Sequence, residues 1–365
     1  MKTKKIVIDV YPISTPYVGV GEFCRQLGEH LAKHATMLRT RYGLEFYFLL
    51  PPQFKGCFGD DVHYICIPAF LRCILPLFPI QADLFHTPYQ YSRVGRLHYA
   101  KKQLLTIHDI NFFYEKKGKN LEKSIRKFQQ KIERTDYVNY ISRFVHEDTA
   151  KHFHILQPQK VIYNGATDLS NSLQPNHELT NLPNNFLFHI SSLQPKKNVQ
   201  LLIEMMDFLP EENLLIVGDW NSVHGKTLQL KIKACRNHNI YMLSNVKEAE
   251  KAFLYKTCRA FLFPSLCEGF GLPPIEAMKF GKPVFLSTLT SLPEIGGKDA
   301  FYWENLTPES MAGFVKRQLA FYAATPSYAK RIKQSAARFT WEHCTEQYIK
   351  YFLEILSGNP LPMNN

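Results

Sequence analysis

An α/β chain built from two successive parallel-sheet domains is the fold class this sequence predicts, on three observations. Apolar runs of strand length alternate with segments of helical periodicity along most of the chain, the pattern of βα units and a parallel sheet. At 365 residues, 45% of them hydrophobic, the chain is long enough for about two cores on a prior of roughly 150 residues per domain. A polar, proline-containing and aperiodic stretch, residues 168–184 (DLSNSLQPNHELTNLPN), interrupts the alternation near its middle. The expected organisation is a first domain at 1–168, a linker at 169–184, a second domain at 185–340 and a terminal segment at 341–365.

Taken in order, residues 5–10 (KIVIDV) read as the first strand, 21–34 as an amphipathic helix with Phe23, Leu27 and Leu31 on one face, and 43–51 (GLEFYFLLP) as the next strand. Further strands are expected at 83–86, 103–108 (QLLTIH), 137–141 and 160–163, with an amphipathic helix at 121–132 carrying Leu121, Ile125, Phe128 and Ile132 on one stripe. After the linker come the strand 186–191 (FLFHIS), the helix 198–208, the strand 213–217, the helix 225–238, the strand 240–243, the helix 247–258 and the strand 260–263. Pro273 and Pro274 then pre-set φ for a first helical turn, Gly281 is placed to end that helix at C′, and Pro283-Val284-Phe285-Leu286 reads as a buried strand. The last helix, 341–357, is apolar around much of its circumference.

Several classes are set aside by composition. The eight cysteines are scattered without C-x-x-C pairs or histidines at zinc spacing, which points to a reducing compartment and to no metal site. The opening MKTKKIVIDV is too short an apolar run for a secretory leader, and no stretch approaches about 18 uninterrupted apolar residues. Net charge is +12, with 44 Lys and Arg against 32 Asp and Glu, so an acidic partner is expected. Nucleic acid is not that partner, because zinc-finger spacing, basic-zipper heptads and RNA-recognition signatures are all missing from the sequence.

The chemically loaded stretch is 265–284, SLCEGFGLPPIEAMKFGKPV. It places Glu268 and Glu276 around a glycine-rich turn that opens a short helix, where backbone N–H groups of Gly269, Phe270, Gly271 and Leu272 can meet an anion. Glu276, one turn into the helix, can accept from the vicinal hydroxyls of a ribose. From spacing alone, the two carboxylates can equally be solvated or neutralise a neighbouring lysine. A second loaded turn, Ser192-Leu193-Gln194-Pro195-Lys196-Lys197-Asn198, follows the strand 186–191, with Asn198 expected to N-cap the next helix. Paired lysines at the carboxyl end of a strand sit where open α/β sheets bind ligands.

Pro264-Ser265, Glu268-Gly269-Phe270-Gly271-Leu272-Pro273, Glu276-Ala277-Met278, Gly281 and Pro283-Val284 resemble, in register, the signature of the retaining glycosyltransferases of family 4. Pro195-Lys196-Lys197-Asn198 is similar to that family's P-R-K-N loop, with Lys196 keeping the charge of the usual arginine but losing its planar fork. Gly19, Gly21 and Arg25 loosely match its small-residue loop, His108-Asp109 its T-x-H-D, and 140–143 and 161–165 complete a likeness that spans the chain.

The resemblance implies the GT-B architecture, two Rossmann-like domains facing a central cleft, with the last helix crossing back to the first domain. It implies transfer of a hexose from a nucleoside-diphosphate sugar with retention, by same-face attack. Mannose from GDP-mannose is the reading favoured by the likeness to bacterial mannosyltransferases of surface-polysaccharide assembly. On this reading Lys196 and Lys197 hold the diphosphate, Glu268 and His108 contact the donor sugar, and Glu276 holds the ribose. Gly19, Gly21, Phe270, Gly271, Leu272, Asn245 and Val246 complete the donor-binding set, and His86 lies toward the acceptor. A covalent role for Glu268 is a less favoured variant. No Asp-x-Asp motif is present, so neither a metal nor another cofactor is expected, and the nucleotide sugar is a substrate.

The acceptor is expected to be a glycan or a lipid-linked saccharide. Basic residues crowd 93–134 and are interleaved with Tyr91, Tyr99, Phe112, Phe113 and Tyr114, which makes an anionic membrane surface a candidate partner and the cytoplasmic face of a membrane the candidate location. The apolar run 69–80 (AFLRCILPLFPI) is either a hydrophobic foot or core. Two other classes remain at this level: a non-catalytic glycan- or lipid-binding module on the same fold, and a sugar-nucleotide epimerase of the same architecture.

Overall fold

Four buried residues in a row end the first strand, β1 (Lys4–Asp9), and the same unbroken burial recurs in the strands Ala100–Ile107, Ala260–Phe263 and Val284–Ser287; it marks parallel strands covered on both faces. The computed structural model describes residues 3–15, 19–94, 96–171, 182–237 and 239–358. The chain divides into two compact units, Met1–Gly165 with Trp341–Asn365, and Ala166–Thr340. Residues 172–181, most of the expected linker, lie outside the described residues.

In the first unit β1 is followed by α1 (Gly19–Tyr42), β2 (Leu44–Leu50), β3 (His63–Cys66), β4 (Ala82–Thr87), β5 (Ala100–Ile107), α2 (Phe112–Glu115), α3 (Gly118–Glu133), β6 (Tyr137–Tyr140), α4 (Arg143–His152) and β7 (Gln159–Val161). The sheet order is β3-β2-β1-β4-β5-β6-β7, all parallel. Its direction of growth reverses between β1 and β4, which opens a crevice at their carboxyl ends. The second unit runs β8 (Phe186–Ile190), α5 (Val199–Met205), β9 (Asn213–Val217), α6 (Val223–Ala234), β10 (Ile240–Leu243), α7 (Glu248–Thr257), β11 (Ala260–Phe263), α8 (Leu272–Lys279), β12 (Val284–Ser287), α9 (Leu292–Gly296), β13 (Phe301–Trp303), α10 (Pro308–Ala324) and α11 (Tyr328–Ala336). Its parallel sheet has the order β10-β9-β8-β11-β12-β13, so the reversal falls between β8 and β11.

The last helix, α12 (Trp341–Ser357), belongs to the first unit. Trp341, Tyr348, Tyr351, Phe352 and Ile355 are buried in one cluster with Ile6, Phe23, Phe46 and Leu84, each such side chain contributing about 1.5–3 kcal/mol on burial. Beneath it the Tyr348 hydroxyl accepts from Asn139 Nδ2 at 2.8 Å and lies 3.1 Å from Thr106 Oγ1, which in turn meets His86 Nε2 at 2.9 Å.

Several elements differ from the sequence reading. The helix expected at 21–34 extends over 19–42, and that at 198–208 stops at Met205 before a 3-10 turn at 206–208. The helix expected at 225–238 ends at Ala234. The apolar run 69–80 is neither wholly core nor wholly foot: it forms a 3-10 helix, Ala69–Leu77, with Arg72 buried and with Phe70 and Ile74 exposed. No helix among the described residues is long and apolar enough to cross a membrane.

Candidate functional site

Lys197 and Glu268 are 71 residues apart in sequence and 2.5 Å apart in space, Nζ to Oε1. The topology explains the meeting. Lys197 follows β8 and Glu268 follows β11, the two strands that flank the reversal of the second sheet, so both loops rise from the crevice where open sheets bind ligands. The loops are also stitched together through the Lys196 carbonyl, which accepts from Ser265 Oγ at 3.1 Å and from Leu266 N at 2.7 Å. Ser265 Oγ also reaches Glu268 Oε1 at 2.6 Å. The Glu268 N–H donates to Thr290 Oγ1 at 3.0 Å, and Ser291 Oγ donates to the carbonyls of Glu268 and Phe270. Both side chains are nearly buried, 15% and 13% exposed, a placement that costs desolvation and orients the two charges. Both of these contacts fall on Glu268 Oε1.

Asn198 departs from expectation. It adopts the left-handed conformation, φ 55°, and makes no side-chain cap to α5; it turns the chain out of the lysine loop instead, a role asparagine tolerates better than most residues. Beneath that loop lies His189, which sequence reasoning passed over. Its Nδ1–H donates to the Leu262 carbonyl at 2.8 Å, Nε2 meets Ser191 Oγ at 2.8 Å, and burial holds its pKa down at about 4.

The turn before α8 has the expected features. Gly271 sits at φ 124°, a value L side chains rarely adopt, and the two prolines occupy the first helical turn. Phe270 is buried edge-on against Phe339 at 5.7 Å, and Leu272 is the first residue of the helix. At the other end Gly281 has φ 74°, its N–H bonds to the Met278 carbonyl and the Lys282 N–H to the Ala277 carbonyl, a Schellman stop.

Glu276 is 8% exposed and doubly held, with Lys251 Nζ at 2.9 Å on Oε1 and the Tyr255 hydroxyl at 2.8 Å on Oε2. Both carboxylates therefore do neutralise lysines, one of the two readings left open by their spacing. Each oxygen of a carboxylate accepts two hydrogen bonds, so the pairing leaves Glu276 acceptor capacity on both. Lys251 and Tyr255 come from α7, which begins just after Asn245 and Val246. Asn245 is exposed at φ 54°, Val246 is half-buried, and Ser244 Oγ anchors the turn to the Gly218 carbonyl at 3.0 Å. Lys251 and Tyr255 were not singled out from sequence; their i, i+4 spacing on a helix next to the motif was the available signal.

The remaining predicted residues lie in the first unit. His108 follows β5, is 5% exposed and donates from Nε2 to the Pro88 carbonyl at 2.8 Å. Burial holds its pKa down at about 4, so the ring is neutral near pH 7 with Nδ1 as an acceptor. It meets Phe23 edge-on at 4.9 Å, and Phe23 belongs to the helix that Gly19 and Gly21 open. A Cβ on Gly21 would stand 2.1 Å from the Thr15 carbonyl oxygen, so glycine is required for the loop 11–15 to lie on α1; a Cβ on Gly19 would meet nothing. His86 does not lie toward an acceptor: it is fully buried under α12 against Tyr348 at 5.3 Å and Phe352 at 5.5 Å, with its pKa held down at about 3. No group of three or more His, Cys, Asp or Glu side chains among the described residues is placed to hold a metal ion.

Residues 172–334 match the family described as Glycosyl transferases group 1. O-antigen chain mannosyltransferase B of Escherichia coli is 24% identical, over 95% of this chain and 99% of that protein. Sucrose-phosphate synthase from Thermosynechococcus elongatus superposes with a TM-score of 0.76 at 20% identity, over 98% of this chain and all of that one. Anabaena HepE, solved in complex with UDP-glucose, gives 0.71 at 18% identity over 96% of this chain and all of that one. The two parallel-sheet units are those of GT-B glycosyltransferases, and the chain, which carries a Glycosyl transferases group 1 domain, is a glycosyltransferase.

Proposed function

We propose that this enzyme transfers a hexose from a nucleoside-diphosphate sugar to a glycan or lipid-linked acceptor, with retention of configuration and without a metal. The observation that carries the reading is the Lys197–Glu268 pair at the strand reversal of the second sheet. As the bond to the sugar breaks, negative charge develops on the departing diphosphate; Lys197, with Lys196 beside it, supplies positive charge already in position. Removing one such preorganised group costs on the order of 3–4 kcal/mol. Glu268 Oε2 accepts a sugar hydroxyl, Glu276 accepts from the ribose, and His108 Nδ1 accepts a hydroxyl of the donor sugar. The name of the E. coli relative favours mannose as the sugar and an O-antigen chain as the acceptor, and the likeness of the motifs favours GDP-mannose as the donor.

Incubating the purified chain with GDP-mannose, UDP-glucose and other nucleotide sugars, and scoring nucleotide release and transfer, tests the donor. GDP-mannose is expected to be consumed fastest, and consumption of none would overturn the reading. Activity is expected to survive EDTA, and loss restored by Mg²⁺ or Mn²⁺ would overturn the metal-free part.

Peripheral attachment to an anionic membrane at its cytoplasmic face is part of the same proposal. Lys116, Lys117, Lys119, Lys123, Arg126 and Lys127 are exposed on and before α3, while Phe70 is 76% exposed on the 3-10 helix of the same unit. Each near-surface cation contributes about 1 kcal/mol toward an anionic leaflet. Co-sedimentation with vesicles is expected to rise with anionic lipid content, and a flat response would remove this part.

A further inference from the structure

Among the described residues, five that are not glycine take a positive φ: Asn185, Leu193, Asn198, Asn245 and Thr290. Three are asparagines, which tolerate the left-handed region better than most side chains. Leu193 and Thr290, both at φ 55°, are poorly suited to it, and a β-branched residue such as threonine is a genuine outlier there. Both fall in loops that frame the Lys197–Glu268 pair: Leu193 lies at the start of the lysine loop after β8, and Thr290 in the turn after β12. Backbone strain of this kind persists only where the surroundings enforce it, and it gathers at sites where geometry matters.

What enforces it differs between the two. Leu193 is fully buried and packs onto Gly218, where an added Cβ would stand 2.4 Å from Leu193 Cγ; burial of its side chain compensates. Thr290 is only half-buried. It is the first central residue of a turn closed by the Leu292 N–H on the Leu289 carbonyl at 3.3 Å, a position that glycine fills best when φ is positive. Its hydroxyl is what glycine would lack: Oγ1 accepts the Glu268 N–H at 3.0 Å. The neighbouring hydroxyls hold the same stretch, Ser287 Oγ donating to the Ser265 carbonyl at 2.6 Å, and Ser291 Oγ to the Glu268 carbonyl at 3.1 Å and the Phe270 carbonyl at 2.5 Å. The N–H and the carbonyl of Glu268 are thus held by Thr290 and Ser291, on the residue whose carboxylate must meet Lys197 Nζ.

We propose that Thr290 is a positioning residue for the transfer reaction: its hydroxyl fixes the Glu268 backbone so that the carboxylate meets Lys197, and its strained φ is retained for that contact. Thr290 acts through Glu268 and has no contact of its own with the reacting atoms. The assignment rests on the transferase reading above and adds to it the residue that aims the sugar-facing carboxylate.

Three substitutions separate the hydroxyl from the strain. Thr290→Ser keeps the hydroxyl, Thr290→Val keeps the β-branch without it, and Thr290→Gly discards both. The Val and Gly variants are expected to transfer about tenfold more slowly or worse, the rate equivalent of one lost hydrogen bond, and Thr290→Ser to stay near wild type. In chemical denaturation Thr290→Gly is expected to show a higher midpoint than Thr290→Val, since glycine alone accepts φ 55° without strain. A role in stability alone predicts that activity follows the midpoint across the series; the proposal predicts that the Gly variant is as impaired as the Val variant although more stable. Full activity in Thr290→Gly, or a Gly midpoint no higher than that of Val, overturns it. A double-mutant cycle of Lys197→Ala and Glu268→Gln, read from unfolding equilibria, measures the coupling of the pair without any substrate. In the Thr290→Gly background that coupling is expected to shrink by about tenfold in equilibrium constant. An unchanged coupling overturns the proposal even where hexose transfer is intact; a reduced coupling in a chain that transfers nothing supports the positioning of Glu268 and overturns the transfer reading instead.

Discussion

Replacing Tyr255 by Phe removes one oxygen from the interior and tests how Glu276 is held. The ring contacts survive, with Phe188 at 5.3 Å, Phe261 at 5.5 Å and Phe280 at 6.0 Å, so the variant is expected to fold. What is lost is the 2.8 Å hydrogen bond to Glu276 Oε2. A hydrogen bond to a charged group is worth about 1.5–3 kcal/mol, which bounds the fall in stability. With Lys251 as the remaining donor, on Oε1, the carboxylate is free to rotate and presents one aligned acceptor to the ribose instead of two. Losing one such contact to a ligand, about 1.4 kcal/mol, is tenfold in affinity. The assay compares dissociation constants for a nucleoside diphosphate and its 2′-deoxy analogue. Wild type is expected to prefer the ribonucleotide by at least tenfold, and Tyr255→Phe to shrink that preference at least fivefold with the deoxy affinity nearly unchanged. Equal losses for both nucleotides would show that Tyr255 only supports the fold, and a wild type indifferent to the 2′-hydroxyl would remove Glu276 from the ribose altogether.

Lys197→Ala is expected to lower the transfer rate about 10²–10³-fold and to destabilise the second unit by about 3–5 kcal/mol, because Glu268 is left buried and unpaired; adding Glu268→Gln should restore the melting temperature without the activity, and joint recovery would refute the assignment. Gly21→Ala trades better helix propensity, about 1 kcal/mol, against a Cβ placed 2.1 Å from the Thr15 carbonyl oxygen, so a net loss of about 1–3 kcal/mol is expected in chemical denaturation; a stabilised variant would show that the loop does not rest on α1. Acid should unfold both units early. His86 is held at about 3 and His108 and His189 at about 4 by burial, so below pH 6.5 the unfolded chain binds more protons and stability falls with pH. Near pH 5.5 the penalty is about 3 kcal/mol in the first unit and about 1.4 kcal/mol in the second; equal melting temperatures at pH 7.5 and 5.5 would refute it.

How much of this was readable in the chain depended on whether the signal was local. The stop at Gly281 was readable because a Schellman turn is written in four consecutive residues. The buried strands β5, β11 and β12 were readable because burial on both faces leaves an apolar run. By contrast β3 (His63–Cys66), exposed and half-buried along its length, and the three-residue β13 carry too little pattern to register. Asn198 misled because its residue type suits both an N-cap and a left-handed turn, and only the backbone decides. The pairing partners of Glu268 and Glu276 were ambiguous for another reason: Lys197 meets Glu268 across 71 residues and Lys251 meets Glu276 across 25, distances set by sheet order. Arg72 was hidden inside an apolar run, where its charge gave no hint that it pairs with the buried Asp9.

The place of α12 has a consequence for synthesis. Tyr348 meets Thr106 across 242 residues and Asn139 across 209, so the first unit cannot complete its core when its own strands leave the ribosome. All of Ala166–Thr340 must be made first, roughly 10–35 s at typical elongation rates. Through that interval Phe46, Leu84 and His86 lack their cover, and the nascent chain presents an apolar face to the cell. A ribosome stalled before Trp341 is therefore expected to hold an unfinished first unit, protease-sensitive and bound by chaperones.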